Sequence, residues 1–170
     1  LCGLKLPAPS GPYLKFSGRV ADQDQSRIWD PGTCFGIAAN RPTDPVDCAQ
    51  PHSFEVAGAA DLATRFKDGP PSEADQEKLL NDACTKIAAD YLGSPDAVRA
   101  KTLTVFYNQP LTPLSWLAGS RKVSCNIGKG TNDEFTPITG SAKGDVLIDG
   151  QKPVPPPPEP SGRRLPTPLP

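Results

Sequence analysis

The sequence has few of the residues that catalytic and metal sites require. Its 170 residues include a single histidine, His52, and no methionine. None of the five cysteines stands in a Cys-x-x-Cys pair, which excludes the common zinc-finger spacings. Neither the Gly-x-Ser-x-Gly nucleophile elbow nor the His-Glu-x-x-His metalloprotease motif occurs. The sequence therefore predicts no catalytic residue, no metal site and no cofactor.

Excess charge and long apolar runs are also missing. The 18 Lys and Arg residues balance 19 Asp and Glu residues, which gives a formal net charge of -1. No bulk field therefore draws the chain to nucleic acid or to an anionic membrane. The longest apolar run is far shorter than the roughly 20 residues that span a bilayer, and no signal-peptide pattern opens the chain. We expect any membrane anchor to lie upstream, in a longer protein.

Cysteine and proline, in contrast, are plentiful, with 5 and 22 residues. Cys34, Cys48, Cys84 and Cys125 each stand singly beside apolar residues, a pattern typical of disulfides that staple a core. Because disulfides persist in oxidising compartments, we expect an extracellular or cell-envelope location rather than free thiols in the cytosol.

The first pair of cysteines lies in a segment with hairpin character. Two short β runs, at 33–37 and 46–48, flank a Pro-rich loop at 40–45. A disulfide between Cys34 and Cys48 would close about 15 residues, which contributes roughly 3 kcal/mol in the chain-entropy model. A further strand follows at 54–58, where Phe54 and Val56 alternate with Glu55.

A helix is predicted over 72–92. Ser72 is its N-cap, acidic residues occupy the first turns, and Gly93 and Pro95 are stop signals. Its inward stripe consists of Leu80, Cys84, Ile87 and Tyr91.

Two more strands, at 102–107 and 121–127, are predicted on either side of a short helical turn at 112–116. Val123, Cys125 and Ile127 share one face of the second strand, so Cys125 can meet Cys84 where the strand crosses under the helix. That bridge would close about 42 residues and contribute roughly 4 kcal/mol. Of the three pairings open to four cysteines, the sequence favours this one.

These elements predict an α+β fold, with a small, mostly antiparallel sheet packed against one main helix and two disulfides. The domain is expected over 27–150, after a connector at 1–26. The Pro-rich stretch at 151–170 should be extended polyproline II, either a solvated spacer or a peptide-like ligand.

The ordered motifs of the chain resemble those of the septum formation domain of actinobacterial, especially mycobacterial, membrane proteins. The resemblance covers about 29–128. The motifs that carry it are Pro31-Gly32-Thr33-Cys34-Phe35, Pro45-Val46-Asp47-Cys48, Pro51-His52-Ser53-Phe54-Glu55-Val56, Cys84, and Trp116-Leu117-Ala118-Gly119-Ser120-Arg121 with Cys125. The resemblance implies an extracytoplasmic domain behind a transmembrane helix, associated with the cell envelope and division.

Three functions are compatible with that setting. The first is noncatalytic binding of a protein or cell-wall partner. The second is a ligand-binding module for a wall fragment or small molecule, which a pocket lined by His52, Tyr91 and Trp116 would favour. The third is an envelope hydrolase, which would need a cleft with paired carboxylates or a bound metal.

The candidate binding residues are His52, Glu55, Tyr91, Trp116 and Arg121. We expect His52 to donate to backbone beside the 34–48 disulfide and to pair with Glu55. Both tryptophans, at positions 29 and 116, are expected to serve packing. The Gly128-Lys129-Gly130-Thr131 string predicts a turn, since the spacing of a phosphate loop is absent.

The fifth cysteine suggests an internal duplication. Leu1-Cys2-Gly3-Leu4-Lys5 is similar to Ser124-Cys125-Asn126-Ile127-Gly128, with a following glycine at a similar distance. We therefore expect the chain to open on the last strand of an upstream copy, with Cys2 an orphan. Chance similarity of two short segments is the alternative.

Overall fold

The computed structural model describes residues 19, 26–130 and 134–157. Its strands are β1 Cys34–Ala38, β2 Arg41–Val46, β3 His52–Asp61, β4 Thr104–Tyr107, β5 Lys122–Gly128, β6 Ile138–Thr139 and β7 Leu147–Ile148, and its helices are α1 Glu73–Leu92, α2 Ala97–Ala100 and α3 Pro113–Leu117. The strand order is β2-β1-β3-β5-β4, with β6 beside β3 and β7 beside β6. Every pairing of these strands is antiparallel. The predicted α+β class, with its antiparallel sheet and main helix, is confirmed.

Helix α1 begins and ends where the sequence predicts. The Ser72 hydroxyl accepts a hydrogen bond from the Asp75 amide at 3.2 Å, and Glu73 adds negative charge to the first turn. At the other end Gly93 adopts a left-handed conformation with φ 79°, which costs glycine little because it has no Cβ. The helix packs across β3, β4 and β5.

The hairpin of β1 and β2 differs from the predicted loop. The Pro-rich segment at 40–45 does not form a loop, because most of it lies in strand β2. The reversal occurs at Ala39 and Asn40, which both have positive φ, 48° and 59°, as a two-residue hairpin turn requires. Pro42 and Pro45 are tolerated because β2 is an edge strand of this sheet and needs fewer amide donors.

Both predicted disulfides are present. Cys34 and Cys48 join β1 to the segment after β2, with a Cα–Cα distance of 5.3 Å. Cys84 of α1 and Cys125 of β5 are bridged at a Cα–Cα distance of 5.1 Å. The second bridge ties the helix to the sheet.

The core lies between α1 and the sheet in two clusters. One consists of Ala57, Ala88, Leu103, Ile127, Ile138, Ala142 and Val146. The other consists of Ala60, Leu62, Leu80, Cys84, Trp116, Val123 and Cys125. Alternation along β5 places Val123, Cys125 and Ile127 in these clusters, as predicted. The neighbouring side chains Ser124 and Asn126 therefore point to the opposite face of the sheet.

The described segment at 134–151 contains strands and turns that no sequence pattern predicted. Phe135 is buried, and β6 and β7 extend the sheet beside the start of β3. None of the helices in the described residues combines the length and the hydropathy of a transmembrane span. The predictions for Cys2, for the upstream copy, and for the tail beyond Pro157 lie outside the described residues.

Candidate functional site

The face of the sheet opposite α1 carries a groove with a cavity volume of about 820 Å³. Tyr107 is part of its lining, and five further aromatic side chains, which contact one another, define it. We call it the aromatic groove: Trp29, Phe35, Phe54, Phe106 and Phe135. They come from three strands and two connecting segments. A volume of this size lies in the range of small-molecule and short-peptide sites.

The rings form a continuous row across the strands. Phe35 stacks on Phe54 with ring centroids 4.8 Å apart, and Trp29 meets Phe35 edge-on at 5.6 Å. On the other side Phe54 contacts Phe106 at 5.4 Å and Phe135 at 5.6 Å. The row is held in place because β1 pairs with β3 in a register that sets Phe35 opposite Phe54.

Gly128 permits the contact between Phe54 and Phe106. These two residues belong to β3 and β4, which lie on either side of β5. A Cβ at position 128 would stand 3.0 Å from the Phe54 Cβ and 3.3 Å from a ring carbon of Phe106. The two rings therefore meet over β5 at a point where that strand has no side chain.

Polar groups lie beside the rings. The Asn126 amide donates to Asn108 Oδ1 at 2.8 Å. Asn126 Oδ1 and Ser124 Oγ are buried and have no hydrogen-bond partner in the structure, which is costly unless a partner is supplied. Arg27 and Lys122 add positive charge to the lining. The site thus combines apolar faces with a few polar groups.

Glu55 is the centre of a buried hydrogen-bond network on the other face of the sheet. Its side chain has no solvent exposure. The Tyr91 hydroxyl donates to Glu55 Oε1, the Ser141 hydroxyl donates to the same oxygen at 2.9 Å, and the Ala142 amide donates to Oε2 at 2.6 Å. Burial, followed by this contact with Glu55, raises the pKa of Tyr91 above its usual value. The network joins β3 to the end of α1 and to the segment between β6 and β7.

His52 is fully buried in the first position of β3. Its Nδ1 lies 2.8 Å from the Gln50 carbonyl, so Nδ1 carries the proton, and the expected donation to backbone is found. Nε2 has no partner, and the expected hydrogen bond with Glu55 is not formed because Glu55 faces the donors of Tyr91, Ser141 and Ala142. Burial lowers the pKa of His52, and the Gln50 contact offsets this only in part.

Among the described residues, Cys34, His52 and Glu55 place potential metal-ligating atoms within 4.8 Å of one another. Cys34 is disulfide-bonded and so offers no thiolate. The Glu55 oxygens already accept three hydrogen bonds. The cluster, as it stands, is a structural junction beneath the first disulfide.

Trp116 and Arg121 form a separate pair at the end of α3. The Arg121 guanidinium lies 4.2 Å from the centre of the Trp116 ring and donates to the Trp116 carbonyl at 2.5 Å. Trp116 is buried in the core, as its packing role predicts. A pocket shared by His52, Tyr91 and Trp116 would have favoured a ligand-binding module, but none of the three lines the aromatic groove.

The sequence analysis did not identify the aromatic groove, although it placed two of the lining residues on the same face of a strand. Alternation in the β3 region placed Phe54 and Val56 on one face, and both residues line the groove. Phe35 and Phe106 stand in equally clear β runs. The signal that could have found the site is the recurrence of phenylalanine on the face not used by Cys125 and Ile127.

Comparison with known proteins agrees with the resemblance of the motifs. The family model described as Septum formation matches residues 1–125. Two Mycobacterium tuberculosis proteins, Uncharacterized membrane protein MT3943 of strain CDC 1551 / Oshkosh and Uncharacterized membrane protein Rv3835 of strain ATCC 25618 / H37Rv, are each 49% identical over 182 residues. The alignments cover 100% of this chain and 40% of each relative. No solved structure matches the chain. Because the family match covers more than half of its residues, the chain belongs to the septum formation family.

Proposed function

We propose that this chain is a noncatalytic binding domain on the outer side of the membrane, within a membrane-anchored envelope protein linked to septum formation. The aromatic groove is its binding surface, and an extended segment of a protein partner is its ligand. The observation that carries the proposal is the row of five contacting aromatic side chains beside unpartnered polar atoms.

The outer location is supported by the two disulfides. Cys34–Cys48 and Cys84–Cys125 use all four cysteines of the described part of the chain. Bridges of this kind form and persist in oxidising compartments. The name of the relatives, which calls them membrane proteins, is consistent with an anchor elsewhere in the longer protein.

A binding role is supported by the chemistry of the groove. Its described lining contains no Asp, Glu, His or Cys, whereas a hydrolase needs paired carboxylates, a nucleophile with its base, or a metal. Glu55 and His52 lie on the opposite face and are fully buried. Aromatic faces are instead the usual anchors of protein-protein contacts.

A wall fragment is the second candidate ligand. The observation that favours it is the presence of neutral polar side chains, Ser124 and Asn126, beside the aromatic rings. Hydroxyl-rich ligands would satisfy the unpartnered oxygens at these two positions.

Site-specific photocrosslinking in cells tests the proposal. A photoreactive amino acid is placed at Thr43, an exposed residue of the groove lining, in the membrane-anchored parent protein in a mycobacterial host. The matched control carries it at Leu114, which is 78% exposed and outside the lining. We expect a light-dependent protein adduct at position 43 that is lost when Phe106→Ala is added.

The outcomes separate the candidates. An adduct at position 43 that contains glycan and is removed by a wall hydrolase would favour the wall fragment. Two results would contradict the proposal that the groove is the binding surface. One is equal labelling from positions 43 and 114. The other is labelling at position 43 that Phe106→Ala does not reduce, in a variant whose near-UV circular dichroism is native.

A further inference from the structure

We infer that the ligand of the aromatic groove is a polyproline II segment, and that the Pro-rich tail at 158–170 binds the groove of its own domain. This inference rests on the proposed function of the groove. It names both the chemical class of the ligand and one occupant that the chain itself carries.

The groove has the chemistry that polyproline recognition uses. Proline-rich segments bind aromatic-lined grooves, where pyrrolidine rings pack against aromatic faces. The row from Trp29 through Phe35 to Phe54 offers such faces on three consecutive rings, whose centroids are 5.6 and 4.8 Å apart. The binding costs little conformational entropy because a polyproline II helix is already extended before it binds.

Hydrogen-bond donors lie beside those faces. A polyproline II backbone makes no internal hydrogen bonds, so its carbonyl oxygens are open acceptors. In the groove lining, the Trp29 indole, the Gln109 amide and the Ser124 hydroxyl are side chains able to donate. The Ser124 hydroxyl has no partner in the structure, so a peptide carbonyl would satisfy it.

The tail has the matching composition. Five of the 13 residues at 158–170 are proline, and three of them alternate with other residues in Pro166-Thr167-Pro168-Leu169-Pro170. Proline has no amide hydrogen, so such a segment cannot add to a sheet by strand pairing and must bind through its rings and carbonyls.

The tail is long enough to reach the groove. The last described residue, Pro157, accepts a hydrogen bond from Arg99 Nη1 at 3.3 Å, which holds the start of the tail beside α2. As a polyproline II helix, the 13 residues at 158–170 would span about 40 Å at roughly 3.1 Å per residue. A compact domain of this size has a diameter of about 35 Å. The tail can therefore cross the domain without unfolding any part of it.

Nuclear magnetic resonance of the full chain tests the inference, because the two tryptophans report on the two faces of the fold. Trp29 lies in the groove, whereas Trp116 lies in the core between α1 and the sheet. The test variant replaces four tail prolines with alanine, at positions 158, 160, 166 and 168. We expect the Trp29 indole resonance to move in this variant and the Trp116 resonance to stay, with Trp116→Phe providing the assignment.

Added peptide supplies the second measurement. An unlabelled peptide of residues 158–170 should return the Trp29 resonance of the variant toward its wild-type position, and the same peptide with alanine for proline should not. The wild-type chain should bind that peptide at least about tenfold more weakly than the variant, because its own tail competes at an effective concentration on the order of millimolar.

Three results would overturn the inference. The first is a Trp29 resonance that neither the tail variant nor the peptide moves. The second is equal peptide affinity for wild type and variant. The third is a wild-type Trp29 resonance that changes on dilution, which would mean that the tail binds a neighbouring molecule. The proposed function is tested separately. Crosslinking from Thr43 to another protein can still succeed if any of these three results shows that the tail does not occupy the groove.

Discussion

His52 allows a sharp test of the structure because it is the only histidine in the sequence. It is buried in β3 with Nδ1 donating to the Gln50 carbonyl and Nε2 without a partner. Burial disfavours the charged imidazolium and lowers the pKa of His52 below its usual 6.5. The unfolded chain therefore takes up a proton on this residue at a higher pH than the folded chain does.

The sign and size of the effect follow from proton linkage. Below about pH 6.5 the unfolded state binds more protons than the folded state, so the free energy of unfolding falls as the pH falls. The loss continues until the pH reaches the lowered pKa of the folded state. Where the unfolded state binds one full proton more than the folded state, the free energy of unfolding changes by about 1.4 kcal/mol for each pH unit. Between pH 7.5 and 5.5 we expect the wild-type protein to lose up to about 1.4 kcal/mol through His52.

Urea unfolding at these two pH values measures the loss, with His52→Gln as the comparison. Carboxylates with ordinary pKa values lie below this window, so the variant should change less between pH 7.5 and 5.5 than the wild type. Direct titration of the single imidazole resonance provides the same information if the variant does not fold. Equal slopes in the two proteins, or an imidazole pKa at or above 6.5, would refute the account of a buried neutral histidine.

Two further predictions concern stability. Glu55→Gln should lower the free energy of unfolding by about 1.5–3 kcal/mol in urea, because its amide nitrogen cannot accept the Ala142 hydrogen bond, while the exposed Glu77→Gln on α1 should change it by less than about 0.5 kcal/mol. Similar effects of both changes would contradict the role of Glu55. Gly128→Ala places a Cβ 2.7 Å from a backbone carbonyl and should cost about 1–3 kcal/mol by the same assay. Gly144→Ala is the control, because its new Cβ would lie 3.8 Å from the nearest backbone carbonyl oxygen. If Gly128→Ala left the stability unchanged, the strands around position 128 would have to move apart at little cost.

Local signals in the sequence were sufficient to predict both ends of the main helix. Ser72 and Gly93 mark its ends because an N-cap hydroxyl and a left-handed C-cap are satisfied by the nearest turns alone. The Pro-rich segment at 40–45 misled the same kind of reasoning. Its place at the edge of the sheet, which no local pattern reveals, is what allows Pro42 and Pro45 to lie in a strand.

The disulfide pairing was predictable for a related reason. Cys34 and Cys48 are close in sequence, so one reversal of the chain brings them together. Cys84 and Cys125 each lie on the apolar face of an element with a clear period, and two apolar faces must pack against each other. Periodicity was therefore sufficient to place cysteines that are 41 residues apart.

The candidate binding residues show where such reasoning ends. His52, Glu55 and Tyr91 were candidate binding residues, yet His52 and Glu55 are fully buried, Tyr91 is partly buried, and Glu55 takes its hydrogen bonds from positions 36, 86 and 87 residues away. A charged residue in a strand pattern usually indicates a solvent face. Only the packing of α1 and of the segment after β6 decides that this carboxylate has donors instead of water.

The sequence by itself determined the class of the fold, the two staples and the membership of the septum formation family, because each depends on local caps, on periodicity or on ordered motifs. Tertiary structure alone decided the aromatic groove. Its rings come from β1, β3 and β4 and from segments far apart in the chain, and they meet because the strand order places β5, with no side chain at Gly128, between Phe54 and Phe106. Contacts of that kind follow from strand order and register, which the spacing of residues along the chain does not specify.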